Sequence, residues 1–244
     1  MTNFDNFFKS AFTVDNVIFG FDEGDLKVLL IKRGEEPYKG KWALPGYFVY
    51  SDEDLDSAAA RVLRELTGLS KVYLEQVKTF GRVGRHPFGR VITVAYFSLV
   101  KISDYSIQAA SIAQKAQWHS VAKVKDLAFD HNEILNACFE RLKWLVRVRP
   151  VGFELLPPKF TLTELQHLYE AILETDLDKR NFRKKILSMN LLVDLDETQE
   201  GVAHRPAKLY RFDPRKYHQF EAEGFNFELK ESKRKEKKQT KAIL

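Results

Sequence analysis

At 244 residues, 44% of them hydrophobic and 13% aromatic, the chain has material for two packed cores or one large one. A single cysteine, Cys138, excludes a disulfide framework and a Cys-based metal site. No signal-peptide pattern and no run of 18 apolar residues is present, so a soluble, cytoplasmic protein is expected. The net charge of +5 permits a polyanionic partner without requiring one, so the placement of the basic residues matters more than their total.

In chain order, Val14–Phe21 is rich in β-branched and aromatic residues and reads as a strand. Asp22-Glu23-Gly24-Asp25 is turn chemistry, and Leu26–Ile31 is an apolar run of strand length. From Trp42 the sequence WALPGYFVYSDEDLDSAAARVLRELTGL predicts a turn at Pro45-Gly46, a loop, and a helix over Leu55–Thr67. Ala58, Ala59 and Ala60 favour that helix, and Gly68 suits its left-handed C-cap. Val72–Phe80, the run VITVAYFSLV and Gln117–Val121 read as further strands, and Asp130–Arg147 reads as a long helix containing Cys138 as a small buried apolar residue. Strands and helices mix without a βαβ repeat, which favours an α+β fold.

Residues 42–69 resemble the Nudix box, G-x5-E-x7-R-E-U-x-E-E-x-G-U with U aliphatic, whose carboxylates hold Mg²⁺ against a pyrophosphate. Aligned on Gly68-Leu69, the match keeps Glu53, Arg61, Leu63 and Glu65 but places Tyr47, Val62 and Leu66 where the box has Gly, Glu and Glu. Val62 and Leu66 are four residues apart and share one helix face, where an active enzyme would carry paired Mg²⁺ ligands. The expectation is a Nudix scaffold with no catalytic residues, no metal and no cofactor. The rival expectation is a Nudix hydrolase of ADP-ribose-like compounds acting through Glu53 and Glu65, with Arg61 orienting them.

Beyond Arg147 the prolines of RVRPVGFELLPPKF break the pattern, and residues 150–158 read as a linker. Thr161-Leu162-Thr163-Glu164 is a capping box opening an amphipathic helix to about Leu173, and Asp178 can cap a second helix. On that second helix Phe182, Ile186 and Met189 fall together, with Arg180, Arg183 and Lys184 opposite. LLVDLD and KLYRF read as a hairpin, and a helix-turn-helix followed by a hairpin is a winged helix. Five of the seven residues Lys179–Lys185 are basic, which marks a DNA-facing surface of Lys179, Arg180, Asn181, Arg183, Lys184 and Lys185, with Arg205, Lys208 and Arg211 from the hairpin. A solvated basic face is the plainer alternative.

WALPG, TFGRVGRHPFGRVITVAY, LAFDHNEIL and FTLTELQHLYEAIL…DKRNFRKKIL together resemble the Nudix-related transcriptional regulators. The resemblance implies a Nudix α/β/α sandwich over residues 1–149 that senses an effector, a linker over 150–158, a winged helix over 159–229 and a basic, disordered tail over 230–244. It also implies a homodimer bound to operator double-stranded DNA. The chain resembles a branch with a pentose effector, L-arabinose, so that sugar is expected, with ADP-ribose or NAD the alternative. Lys32, Arg33, Arg85, His86 and Arg90 can supply cations for phosphates, while Asp15, Asn16, Tyr47, Tyr96, Asp130 and His131 can form a neutral-ligand site. Asp130-His131 can equally be a helix cap and first turn with no ligand role.

Overall fold

The structure, a computed structural model, describes residues 10–22, 24–70, 72, 74–104, 113–203, 205–222 and 224. Glu23 of the first turn and the tail 230–244 lie outside the described residues. The chain divides into two compact units, Met1–Leu142 and Lys143–Leu244.

In the first unit β1 (Ala11–Asp22), β2 (Asp25–Arg33), β3 (Trp42–Ala43), β4 (Gly46–Phe48), β5 (Glu75–Phe80), β6 (Val91–Leu99) and β7 (Ala113–Ser120) form one sheet in the order β3-β2-β1-β6-β5, with β4 pairing β1 and β7 pairing β2. Among the described residues only the β1–β6 pairing of this sheet is parallel, which gives the mixed sheet of an α+β fold. Helix α1 (Leu55–Thr67) starts at Asp54, whose carboxylate accepts from the Ser57 amide, and ends at Gly68 with φ +76°, where a side chain would be strained. Helix α2 (His131–Val148) follows β7.

Strand β1 supplies both faces of the sheet. Val14 packs with Ala58, Ala59, Val62 and Leu66 of α1, and Ile18 packs with Leu63. Between them the Asn16 side chain donates to the Ala59 carbonyl at 3.1 Å. Successive residues of a strand point to opposite faces, so Asp15 and Phe19 turn the other way. There Phe19 lies 6.2 Å from Phe139 of α2, and Asp15 meets His131. The sheet is thus covered by α1 on one side and α2 on the other, the expected α/β/α sandwich.

The strand expected from Val72 begins at Glu75, and Val121 opens a 3-10 turn instead of ending β7. Strands β3 and β4, two and three residues long, have no periodicity to read in the sequence.

In the second unit Thr161 and Glu164 form the reciprocal capping box of α3 (Leu162–Leu173), and the Asp178 carboxylate accepts from the Asn181 amide to start α4 (Lys179–Ser188). Phe182 and Ile186 are buried, and Phe182 sets its ring edge-on to Tyr169 of α3 at 5.4 Å. The turn between them is tied by Gln166 and Glu170, which bond the Leu177 carbonyl and amide. β8 (Leu192–Thr198) and β9 (Lys208–Phe212) form the antiparallel wing, and α5 (Pro214–Ala222), not anticipated from the sequence, follows. Residues 150–158, expected as a linker, are packed: Phe153 stacks on Phe212 at 4.1 Å, and the Val151 carbonyl accepts from Tyr169.

Candidate functional site

In the first unit a cavity of about 430 Å³, within the size range of small-molecule sites, is lined from four directions. β1 contributes Thr13 and Asp15, the end of β2 and its loop contribute Arg33–Pro37 without Gly34, β4 contributes Gly46–Phe48, and the loop before β6 contributes Arg85, His86 and Arg90. Phe129 and His131 close it. Of the expected ligand residues, Asp15, Tyr47, Arg85, His86 and His131 come together here with Arg33 and Arg90.

Three expected residues lie elsewhere. Lys32 does not line the cavity, although it is in phase with Val28, which pairs Phe19; the β2–β7 register shifts between Lys32 and Arg33. Asn16 spends its amide on α1. Tyr96 is buried in the core beneath α1, donates its hydroxyl to Asp56 at 2.6 Å, and is pushed well above the usual phenol range by burial.

Asp130 lies one step behind the wall. Its carboxylate takes a two-pronged bond from Arg85, Nε–Oδ2 2.8 Å and Nη2–Oδ1 2.6 Å, with both side chains buried. The expected capping role is therefore displaced by a charge-assisted pair reaching across 45 residues. Arg85 also faces Asp15 at 3.7 Å. Phe129, which the sequence reading passed over, holds a left-handed φ of +55°. It stacks on His86 at 5.2 Å, takes Tyr38 edge-on at 4.8 Å, and carries the Arg33 guanidinium at 4.9 Å from its ring. Its only sequence signal is an aromatic residue beside Asp130-His131.

His131 Nδ1 accepts from the Leu44 amide at 2.9 Å, so its proton sits on Nε2, which faces Asp15 at 3.5 Å. Burial pushes this imidazole below its ordinary value, and Arg85 and Arg33 add to the shift against the opposing pull of Asp15 and Asp130. A lowered folded value means that the unfolded chain takes up the proton more readily. The stability contribution is therefore complete above about pH 6.5 and is lost as pH falls below it. The melting temperature is expected to fall between about pH 7.5 and 5.5, and to fall less steeply in His131→Gln. Equal slopes in thermal unfolding would rule His131 out as the cause. His86 and His119, also lowered by burial, account for the slope that remains.

The box residues are occupied with one another. Arg61 binds Glu53 through Nε and Nη2, Glu65 through Nη1 at 3.1 Å, and the Phe48 carbonyl at 2.9 Å. Its guanidinium lies 4.0 Å from the Tyr50 ring centre. The Arg61 bonds hold the Glu53 carboxyl at about 2, well below its usual range. Val62 and Leu66 are 0% and 2% exposed, so the face that would carry metal ligands is dry core. Among the described residues no group of three His, Cys, Asp or Glu could hold a metal ion.

In the second unit Arg180, Asn181 and Lys184 of α4 are exposed on the side opposite Phe182 and Ile186, and Lys179 is exposed at the first position of the helix. Arg183 and Lys185 are half-buried, and Arg183 turns back to donate to Thr163 of α3 at 3.0 Å. On the wing Arg205 and Arg211 are exposed, while Lys208 pairs with Asp194 at 2.8 Å. No described helix is long and apolar enough to cross a membrane.

A family model described as a NUDIX domain matches residues 10–138, and one described as an NrtR DNA-binding winged helix domain matches residues 152–212. The ADPR responsive transcriptional repressor NtrR of Acinetobacter baylyi is 40% identical over 219 residues, covering 88% of this chain and 84% of the relative. The crystal structure of Shewanella oneidensis NrtR complexed with a 27mer DNA is similar over 90% of this chain and 99% of its own, at 31% identity and TM-score 0.74. The cocrystal structure of the NUDIX domain of the same NrtR with ADP ribose covers 57% of this chain and 92% of its own, at 35% identity and TM-score 0.52.

Proposed function

The chain belongs to the Nudix-related transcriptional regulators, and we propose that its Nudix domain senses ADP-ribose while its winged helix binds operator DNA. The observation that carries this reading is the cavity, where Arg33 and Arg90 offer cations to a pyrophosphate beside the aromatic surface of His86 and Phe129. L-arabinose, the effector expected from the sequence, gives way to the alternative, because the relatives above are named for ADP-ribose. The domain is read as a sensor and not a hydrolase, since Val62 and Leu66 stand where the box has glutamates and their face is buried.

Helix α4 is the part of the winged helix assigned to the major groove, with Arg180, Asn181 and Lys184 foremost. Arg183 is given the lesser task of fixing α4 to α3, because its bond to Thr163 holds it back. Lys179, Lys185, Arg205, Lys208 and Arg211 are assigned to flanking phosphates. In a C2 homodimer, each copy would read one half of a near-palindromic site.

The test uses the full chain and a duplex selected on it from a random-sequence library, followed by fluorescence anisotropy. Saturating ADP-ribose is expected to shift operator affinity by about tenfold or more, while L-arabinose leaves it unchanged; tenfold corresponds to about 1.4 kcal/mol. Asn181→Ala is expected to cost about 1–3 kcal/mol on the selected duplex and to relax one base position. A response to L-arabinose alone, or an Asn181→Ala protein that binds as the wild type does, would overturn the corresponding half of the assignment.

A further inference from the structure

We infer that Asp15 and the Nε2–H of His131 form the seat for the diol of a terminal ribose, so that the cavity reads the sugar at the far end of a nucleoside diphosphate as well as its charge. The inference rests on the ADP-ribose reading above and deepens it.

Asp15 is a carboxylate short of close donors. The Asp15 side chain is only 6% exposed, yet it lines the cavity. An ionised carboxylate can accept about four hydrogen bonds. Asp15 Oδ2 takes one short bond, from Thr93 Oγ1 at 2.7 Å. Its two nearest charged or chargeable neighbours stop too far away to bond well, Arg85 Nη2 at 3.7 Å and His131 Nε2 at 3.5 Å. The short bonds of Arg85 go to Asp130 instead.

Oδ1 lies against the bare backbone of Gly46, where an added Cβ would come within 1.9 Å of it. The glycine therefore gives the carboxylate room at the cavity edge. A hydroxyl can donate to Asp15 and accept from the His131 Nε2–H at once, which neither group can do for the other at 3.5 Å. A phosphate placed there would meet a like charge. It belongs on the side of Arg33 and Arg90, each of which is anchored by one N–H to a backbone carbonyl, that of Pro37 or Gly81. The ligand is thereby given a direction, phosphates on the arginines and sugar on the aspartate.

This direction also meets a chemical need. ADP-ribose and ADP share the base, the first ribose and the pyrophosphate, so a sensor that separates them has the terminal ribose to read. A buried polar seat left unpaired is the strongest way to reject a ligand that lacks the matching hydroxyl.

Calorimetry on the full chain with ADP-ribose, ADP, and ADP-ribose acetylated on one terminal-ribose hydroxyl tests the proposal. The wild type is expected to bind ADP-ribose about tenfold or more tighter than either of the others. Asp15→Asn is expected to bring ADP-ribose down to the level of ADP while leaving ADP within about twofold. If Asp15→Asn does not fold, the wild-type ratios alone decide. Equal wild-type affinities for all three ligands, or a variant that weakens ADP and ADP-ribose alike, would overturn the diol seat and leave the ADP-ribose reading standing. A wild type that binds none of the three would overturn that reading itself.

Discussion

Arg85→Ala is expected to lower the stability of the sensing unit by about 3–5 kcal/mol, the cost of removing one partner from a buried ion pair. Arg85, Asp130 and Asp15 have side chains 4%, 3% and 6% exposed, so the substitution leaves two buried carboxylates without their cation. Neither can recover water without opening the loop before β6, where His86 stacks on Phe129. Asp130→Ala in the same protein should restore part of the loss, because it removes one of the stranded charges. Urea unfolding followed by the fluorescence of Trp42 and Trp118, both in this unit, gives the comparison. A change below about 1 kcal/mol, in the range of an ordinary surface substitution, would mean that the pair is more solvated than its geometry states.

Val62→Glu is the second large effect. It restores a carboxylate at a box position, but Val62 is 0% exposed and packed among Val14, Ile31, Ala43, Val94 and Leu66. Burying a carboxylate without a partner costs several kcal/mol even after it takes up a proton, so the melting temperature should drop sharply. Ala60→Glu is the control: the same residue added to the same helix, on its exposed face, should stay within about 0.5 kcal/mol of the wild type. Mg²⁺ should not recover the Val62 variant, because Glu53 and Glu65 remain tied to Arg61. A Val62→Glu protein as stable as Ala60→Glu, and stabilised further by Mg²⁺, would mean that this face still forms a metal site.

The elements that the sequence determined by itself are those with local signals. Helix α1 runs from Leu55 to Thr67 as expected, since its helix formers and terminal glycine all lie within or beside it. The capping box at Thr161 and the cap at Asp178 fixed where α3 and α4 begin. The apolar spacing of Phe182 and Ile186 likewise fixed which side of α4 is left for solvent. Each of these is settled within a few residues, so no distant partner was needed.

The cavity was decided by the tertiary structure, because its membership depends on which side chains a long-range register brings to one face. Asp15 lines it and Asn16 does not, since neighbours on a strand point to opposite faces, and Arg33 lines it where Lys32 does not at a shift in the β2–β7 register. Composition and motif place both members of each pair in the right segment and cannot choose between them. The same holds for partners far along the chain: Asp130 is claimed by Arg85 and Tyr96 by Asp56, 45 and 40 residues away. Arg183, basic and apparently outward on a helical wheel, is drawn back by Thr163 across the turn. A wheel records direction around one helix, whereas a hydrogen bond also requires the neighbouring helix to be in place.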